Sequence, residues 1–135
     1  MRDVVEVLQE HKVFYLATSE NNVPHVRPFG AVAAYDGRVW FCTSDQKAVC
    51  EQIRKNPQVE IASTGFGAEV KWLRLTGKAV IEDNAGAKAA IFKVMPQLKV
   101  MYAGKMDHFT VFYLAEAKAV LSSTDGSKAE ELTIE

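Results

Sequence analysis

No run of apolar residues in these 135 positions approaches the ~20 that a membrane-spanning helix requires. The opening stretch Met1-Arg2-Asp3-Val4-Val5-Glu6 is charged and amphipathic, unlike a signal peptide, so the chain reads as cytoplasmic. Cysteine is scarce. With only Cys42 and Cys50 there is no disulfide framework, and two thiols in a reducing compartment read as structural residues, one in a strand pattern and one in a helix pattern. The three histidines, His11, His25 and His108, are scattered, and none stands at metal-ligand spacing with a cysteine, which argues against a metal site. An excess of charge is also missing. Sixteen Lys+Arg against seventeen Asp+Glu leave a net charge of -1, so no positive field for nucleic acid is expected.

Catalytic motifs are absent as well. There is no P-loop, no Gly-x-Gly-x-x-Gly, no serine or cysteine in a recognisable motif with histidine, and no evident carboxylate pair. No catalytic residue can be named on this basis. If the protein is an enzyme, its chemistry belongs to a bound cofactor, with the chain supplying binding and electrostatics.

What the chain does have is an ordinary globular composition, 48% hydrophobic, of a length that suits a single domain over 1–135. A core of about 4–122 is followed by a charged tail, 123–135, that reads as a surface arm. Asp3 to His11 is an amphipathic helix with Val4, Val7 and Leu8 on one face and Asp3 as its N-cap. Val13–Thr18 is β-branched and aromatic, hence a strand. Ser19-Glu20-Asn21-Asn22 is turn chemistry. A strand from about His25 to Tyr35 follows, with Pro24 and Pro28 arguing for an edge or a bulge. Asp36-Gly37 turns it into Val39–Thr43. Lys47 to Lys55 is a helix stopped by Asn56-Pro57. Val59–Ser63 is a strand, Thr64-Gly65-Phe66-Gly67 a loop, and Glu69–Ile81 a long strand pattern. A third helix, Ala85 to Met95, ends at Pro96. The Lys99–His108 loop precedes final strands at Phe109–Leu114 and Lys118–Ser122.

Short turns join most of these strands, so antiparallel pairing dominates. The expected fold is mainly β (α+β): a six- to seven-stranded antiparallel barrel of Greek-key type with short flanking helices.

One region stands out chemically. A hairpin turning at Asp36-Gly37 brings Arg27 and the Thr43–Lys47 loop toward the same end. Arg27 offers a bidentate grip and Lys47 a point charge, with the Thr43 and Ser44 hydroxyls beside them, a set suited to phosphate. Lys47 also opens a helix, where free N–H groups favour an anion; equally, Ser44 or Asp45 could serve only as an N-cap. Pro28, Phe29 and Gly30 would allow a flat ligand to approach the backbone, or simply form a bulge at a sheet edge. Trp72 and Arg74 share one face of the long strand. Core packing would explain Trp72, whereas a contact across subunits would satisfy both residues.

These pieces, in order, resemble the FMN-binding split-barrel proteins related to pyridoxamine 5'-phosphate oxidase. The likeness runs from about Val4 to Ser122 through Phe14-Tyr15-Leu16-Ala17-Thr18, Pro24-His25-Val26-Arg27-Pro28-Phe29, Phe41-Cys42-Thr43-Ser44 with Lys47, Gln52–Val59 and Trp72–Ala79. The resemblance implies a split β-barrel homodimer with FMN between the subunits. Arg27 and Lys47 would hold the phosphate, helped by Thr43 and Ser44. The backbone of Pro28, Phe29 and Gly30 would line the isoalloxazine ring, with Cys42 on the adjacent strand, and Trp72, with Arg74, would reach the flavin from the partner. A C-terminal Trp and Arg of the kind such oxidases use near flavin and substrate is missing, and the tail is acidic. The expectation therefore moves from vitamin B6 oxidation to a flavin reductase or other oxidoreductase, passing hydride through flavin N5 to or from a small-molecule donor or acceptor. A non-catalytic module for flavin, haem or deazaflavin is the alternative. A third reading is a structural dimer whose Lys99–His108 loop, with Met101, Tyr102 and Met106, is an interaction surface; in the first reading that loop could close over the site.

Overall fold

The computed structural model describes residues 3–65, 71–126 and 129–134. The Phe66-Gly67 loop, the Glu69-Val70 start of the long strand pattern, and Met1-Arg2 of the opening stretch lie outside the described residues.

Helix α1 spans Val4–His11, capped by Asp3, whose Oδ1 accepts from the Val5 N–H at 2.9 Å. Val4, Val7 and Leu8 are buried, as their spacing requires, and Val5 joins them. Strands β1 (Phe14–Glu20) and β2 (Val23–Phe29) form a hairpin through Asn21 and Asn22, at φ 52° and 65°. Strands β3 (Val32–Tyr35) and β4 (Arg38–Ser44) form another through Asp36 and Gly37, at φ 52° and 71°. Both turns place two successive residues at positive φ, matching the twist of the flanking strands. Helix α2 (Ala48–Lys55) leads to β5 (Gln58–Thr64) and β6 (Lys71–Ile81). Helices α3 (Ala85–Val94) and α4 (Leu98–Met101) and a 3₁₀ turn at Met106–His108 lead to β7 (Phe109–Ser123) and β8 (Ala129–Glu131).

The sheet is antiparallel in the order β2-β1-β5-β6-β7-β4-β3, with β8 pairing to β7. It does not close by hydrogen bonds; β2 and β3 remain edges, which explains how Pro24 and Pro28 are tolerated in β2. The sheet curls nonetheless. Phe14 of β1 meets Phe41 of β4 at 5.6 Å between ring centroids, and Phe29 of β2 meets Phe112 of β7 at 6.1 Å. These rings fill the interior of a split barrel. Part of the curl arises where the β6–β7 register shifts between Thr76 and Lys78, opposite Glu116 at φ 53°. A Cβ on Gly77 would stand 3.0 Å from the Ala115 carbonyl oxygen, so the two strands approach there more tightly than a side chain ordinarily allows.

A second apolar cluster lies on the other side of β4 and β7, where α3 packs Ala87 and Ile91 against Trp40 and Val111. Trp40 is fully buried, and its Nε1–H donates to the Tyr35 carbonyl at 3.0 Å.

Several expectations are corrected. The described residues form eight strands rather than six or seven. The single strand from His25 to Tyr35 is two, broken at Gly30-Ala31, and each half pairs with a different neighbour. Phe109–Leu114 and Lys118–Ser122 are one continuous strand, because the kink at Glu116 is absorbed as a bulge. Within the Lys99–His108 loop, part is helical. The tail is not a free arm: Ala129–Glu131 pairs with β7, Leu132 is only 5% exposed, and Thr133 bridges Asp3. Asp125, Glu130 and Glu131 are exposed while one leucine is drawn into the core. Residues 127, 128 and 135 of that tail lie outside the described residues.

Candidate functional site

The hairpin geometry expected from Asp36-Gly37 is not what brings Arg27 to Lys47. Arg27 lies on β2, whose partner is β1, so the β3–β4 turn cannot position it. The curl of the sheet does so instead, by returning edge strand β2 to face β4 across the split. There a cavity of about 220 Å³ opens between β2, β4, α2 and α4.

One end of this cavity is cationic. Arg27, Thr43 and Lys47 line it. Arg27 is half-buried and firmly held. Its Nη1 donates to the Thr18 hydroxyl at 2.9 Å and to the Leu16 carbonyl at 3.3 Å, and its Nη2 donates to Gln52 Oε1 at 2.6 Å. Gln52 Oε1 also accepts from the Thr18 hydroxyl at 2.6 Å. The remaining N–H groups of Arg27 are the ones a ligand could use. Desolvation lowers the Arg27 pKa from its ordinary value, yet a guanidinium has ample margin to stay charged. Lys47 occupies the N-cap position of α2 and is exposed, and it makes no ion pair among the described residues. Beside it, the first N–H groups of α2 lack intrahelical acceptors, as at any helix start.

The other end is apolar. Pro28, Phe29 and Gly30 form one wall, Cys42 the floor, and Met95, Leu98, Met101 and Tyr102 the opposite wall. That second wall is fixed from behind. Leu98 is buried, and the Tyr102 ring stands edge-on to Phe109 at 4.9 Å, which in turn stacks on Phe92 at 4.6 Å. Burial pushes the Cys42 thiol up to about 12, and the nearby Lys47 charge offsets only part of this. Burial, followed by the neighbouring Cys42, also raises the Tyr102 phenol. Both groups therefore stay protonated at neutral pH and present no negative charge to a ligand. Gly30 leaves ordinary contact room: a Cβ there would meet the Met95 methyl at 3.6 Å.

Of the ten residues singled out from the sequence, the structure brings seven together here: Arg27, Pro28, Phe29, Gly30, Cys42, Thr43 and Lys47. Ser44 turns away and is spent locally, its Oγ accepting from the Gln46 N–H at 3.2 Å. Trp72 and Arg74 lie elsewhere, on the outer face of β6. The Arg74 guanidinium sits 4.8 Å over the Trp72 ring and pairs with Glu60 at 3.3 Å. Trp72 is thus not a core residue.

That outer face is apolar and exposed. Tyr15 (50% exposed) and Val26 (68%) project from it, and Val13 and Trp72 edge a shallow depression of about 310 Å³. Tyr15 is paired in register with Pro28, a residue of the cavity wall. The apolar outer face therefore runs up to the rim of the cavity.

Sequence reasoning missed two groups. Thr18 and Gln52 hold Arg27 from behind; a glutamine buried on the inner face of an amphipathic helix was the available signal. Leu98 joins Met101 and Tyr102, which the sequence reading places on the Lys99–His108 loop, at helical spacing on one face of a single turn, and that turn's brevity conceals it.

Comparison with known proteins gives a consistent picture. A family model described as pyridoxamine 5'-phosphate oxidase matches residues 1–122. General stress protein 26 of Bacillus subtilis is 31% identical over 130 residues, covering 93% of this chain and 89% of that protein. Among solved structures, a NimC/NimA family protein from Clostridium acetobutylicum superposes with a TM-score of 0.84 at 35% identity, covering 94% of this chain and 87% of the other. Two more share the fold at 20% identity. A haem-binding protein from Mycobacterium smegmatis gives a TM-score of 0.72, covering 93% of this chain and 57% of that one. A FAD-binding protein from Mesorhizobium loti gives 0.63, covering 87% and 91%.

Proposed function

This chain belongs to the pyridoxamine 5'-phosphate oxidase family, and on that premise we propose that it is an FMN-binding flavoprotein, a homodimer, and an oxidoreductase acting on small molecules. One observation carries the reading. A single cavity joins a cationic, hydroxyl-bearing end to an apolar end walled by backbone and thioethers. The first suits a phosphate and the second a flat ring, and FMN has both.

In this reading Arg27 and Lys47 hold the phosphate, with the Thr43 hydroxyl and the start of α2 adding donors. Arg27 does so from a fixed position, because Thr18 and Gln52 hold its guanidinium before any ligand arrives. The backbone of Pro28, Phe29 and Gly30 lies along the ring, and Met95, Leu98 and Tyr102 keep water from its other side. A bound flavin would supply two-electron chemistry, accepting or releasing hydride at N5. The acceptor end offers no further cation: among the described residues Arg27 and Lys47 are the only cationic residues lining the cavity, and in this reading both serve the phosphate. A phosphorylated substrate therefore has no partner there, and small uncharged donors or acceptors are favoured.

The outer face supports the dimer. Tyr15, Val26 and Trp72 form an apolar surface reaching the cavity rim through Pro28. A second copy seated there would cover it and bring its own Trp72 and Arg74 toward the ring. Haem is the rival ligand. Among the described residues no histidine lines the cavity, and His108 is already engaged at 2.8 Å by Asp45, so the lining offers no imidazole.

The test is an absorbance spectrum of purified protein before and after adding FMN and desalting. Retained flavin bands support the proposal; a colourless protein overturns it, and a Soret band after haem addition would replace it. A Lys47→Ala/Arg27→Lys variant that stays fully yellow would sink the phosphate assignment.

A further inference from the structure

Three of the chain's four methionines, Met95, Met101 and Met106, fall within positions 95–106. Two of them, Met95 and Met101, line the cavity. Met101 is 64% exposed and Met106, at 43%, follows on the same connection. The Met95 methyl lies close to Gly30, so this side chain faces the backbone that would carry a flat ligand. The wall is thus apolar, but it is built partly from the one apolar side chain type that peroxides convert into a polar one.

A second sulfur, Cys42, lines the same cavity, and the two kinds of sulfur differ in readiness. A thiol reacts with peroxide as its thiolate. Burial of Cys42 keeps it protonated at neutral pH, and Cys50 is fully buried. A thioether needs no deprotonation, so its exposure decides its rate. At this site the accessible reductant is therefore methionine.

We propose that Met101, with Met95 behind it, is a peroxide-modification site that lowers occupancy of the cavity when oxidised. The Met101 Sδ lone pair attacks one oxygen of a hydroperoxide. An S–O bond forms as the O–O bond breaks. Sulfur loses two electrons to become the sulfoxide, and hydrogen peroxide is reduced to water, with no net proton consumed. The new S=O places a strong dipole on a wall whose one other polar side-chain group, among the described residues, is the Tyr102 hydroxyl. The rest of the wall stays in place, because Leu98 and Tyr102 anchor it from behind. The oxidation itself is independent of what the cavity holds; its consequence rests on the FMN reading above.

The experiment treats purified protein with hydrogen peroxide, locates added oxygen by peptide mass spectrometry, and measures FMN affinity before and after. Met101 should gain oxygen first, Met95 later, and FMN affinity should fall about tenfold or more, the scale expected for a polar group set against an apolar ligand. Methionine sulfoxide reductase should restore it. In the Met95→Leu/Met101→Leu variant, a volume-conserving change, affinity should no longer respond to peroxide, whatever its starting value. Untreated protein that binds no FMN overturns the FMN reading and this consequence with it. Protein that binds FMN equally well before and after Met101 is oxidised overturns this inference alone, as does a peroxide effect that survives in the double variant or a Met101 that resists oxidation.

Discussion

Gln52 Oε1 lies 2.6 Å from Arg27 Nη2, a hydrogen bond that ties helix α2 to edge strand β2. No backbone ladder joins these elements, so this side-chain contact, with Thr18 as its third member, sets where the guanidinium stands at the mouth of the cavity.

Replacing Gln52 by leucine removes the acceptor shared by Arg27 and Thr18. A loss of about 2 kcal/mol is expected from an orphaned charged donor and hydroxyl. It should be read as a lower urea midpoint at unchanged m-value. Gln52→Glu separates the two roles. It would pair with Arg27 and keep the fold, but place a negative charge beside the proposed phosphate. Stability near that of the parent with clearly weaker FMN binding is the expected result, from parallel urea and FMN titrations.

Cys42 should resist alkylation. With its thiol held up to about 12 by burial, the reactive thiolate is scarce throughout the neutral range. Iodoacetamide labelling at position 42 should stay slow at pH 8 and accelerate only in strongly alkaline solution. The same shift has a stability sign. The unfolded thiol ionises from about pH 8.5, while the folded one remains protonated. Cys42 therefore favours the folded state fully below that value, and its contribution is lost as pH rises toward 12. A Cys42→Ala variant should show a shallower fall in stability between pH 9 and pH 11 (about two units of this window), measured by urea unfolding at each pH.

Placing a charge on the exposed outer face should separate subunits. Val26→Glu sits on edge strand β2, opposite Ala17 and on the same face as the exposed Tyr15. Sedimentation velocity is expected to show dimer for the parent and monomer for the variant, with little change in thermal unfolding at high protein dilution. A parent that sediments as a monomer would remove the subunit-interface reading while leaving the cavity intact.

Leu132 should matter more than a tail residue usually does. It is buried, on a segment hydrogen-bonded back to Ala119, and Thr133 accepts from the Val4 N–H. Leu132→Ala is expected to cost about 2–4 kcal/mol, visible as a drop in melting temperature. An effect below about 0.5 kcal/mol, typical of surface positions, would show that the segment contributes little.

How much of this was legible depended on range. Asp36-Gly37 and Asn21-Asn22 carry their turns in their own chemistry, and Val4, Val7 and Leu8 mark their helix face by spacing alone. The break at Gly30-Ala31 was not legible, because the apolar run continues through it and only pairing with different neighbours divides it. The tail misled because Leu132 is one apolar residue among charges, and its burial depends on α1 and β7. Arg27 and Lys47 were paired on a local argument that failed; the curl of the whole sheet, which no short window records, brings them together. Thr18 and Gln52 escaped notice for the same reason, each being unremarkable until the other and Arg27 are beside it.

The close approach at Gly77 reaches further than its own strand pair. The bulge opposite Glu116 lies in β6 and β7, two of the strands that separate β2 from β4 in the sheet order, so a change of bend there would move those two strands relative to each other. On the proposed reading, the width of the cavity would then depend in part on Gly77, a residue outside its lining. A lineage could widen or narrow the slot by moving this bend, changing what fits without altering one residue of the lining.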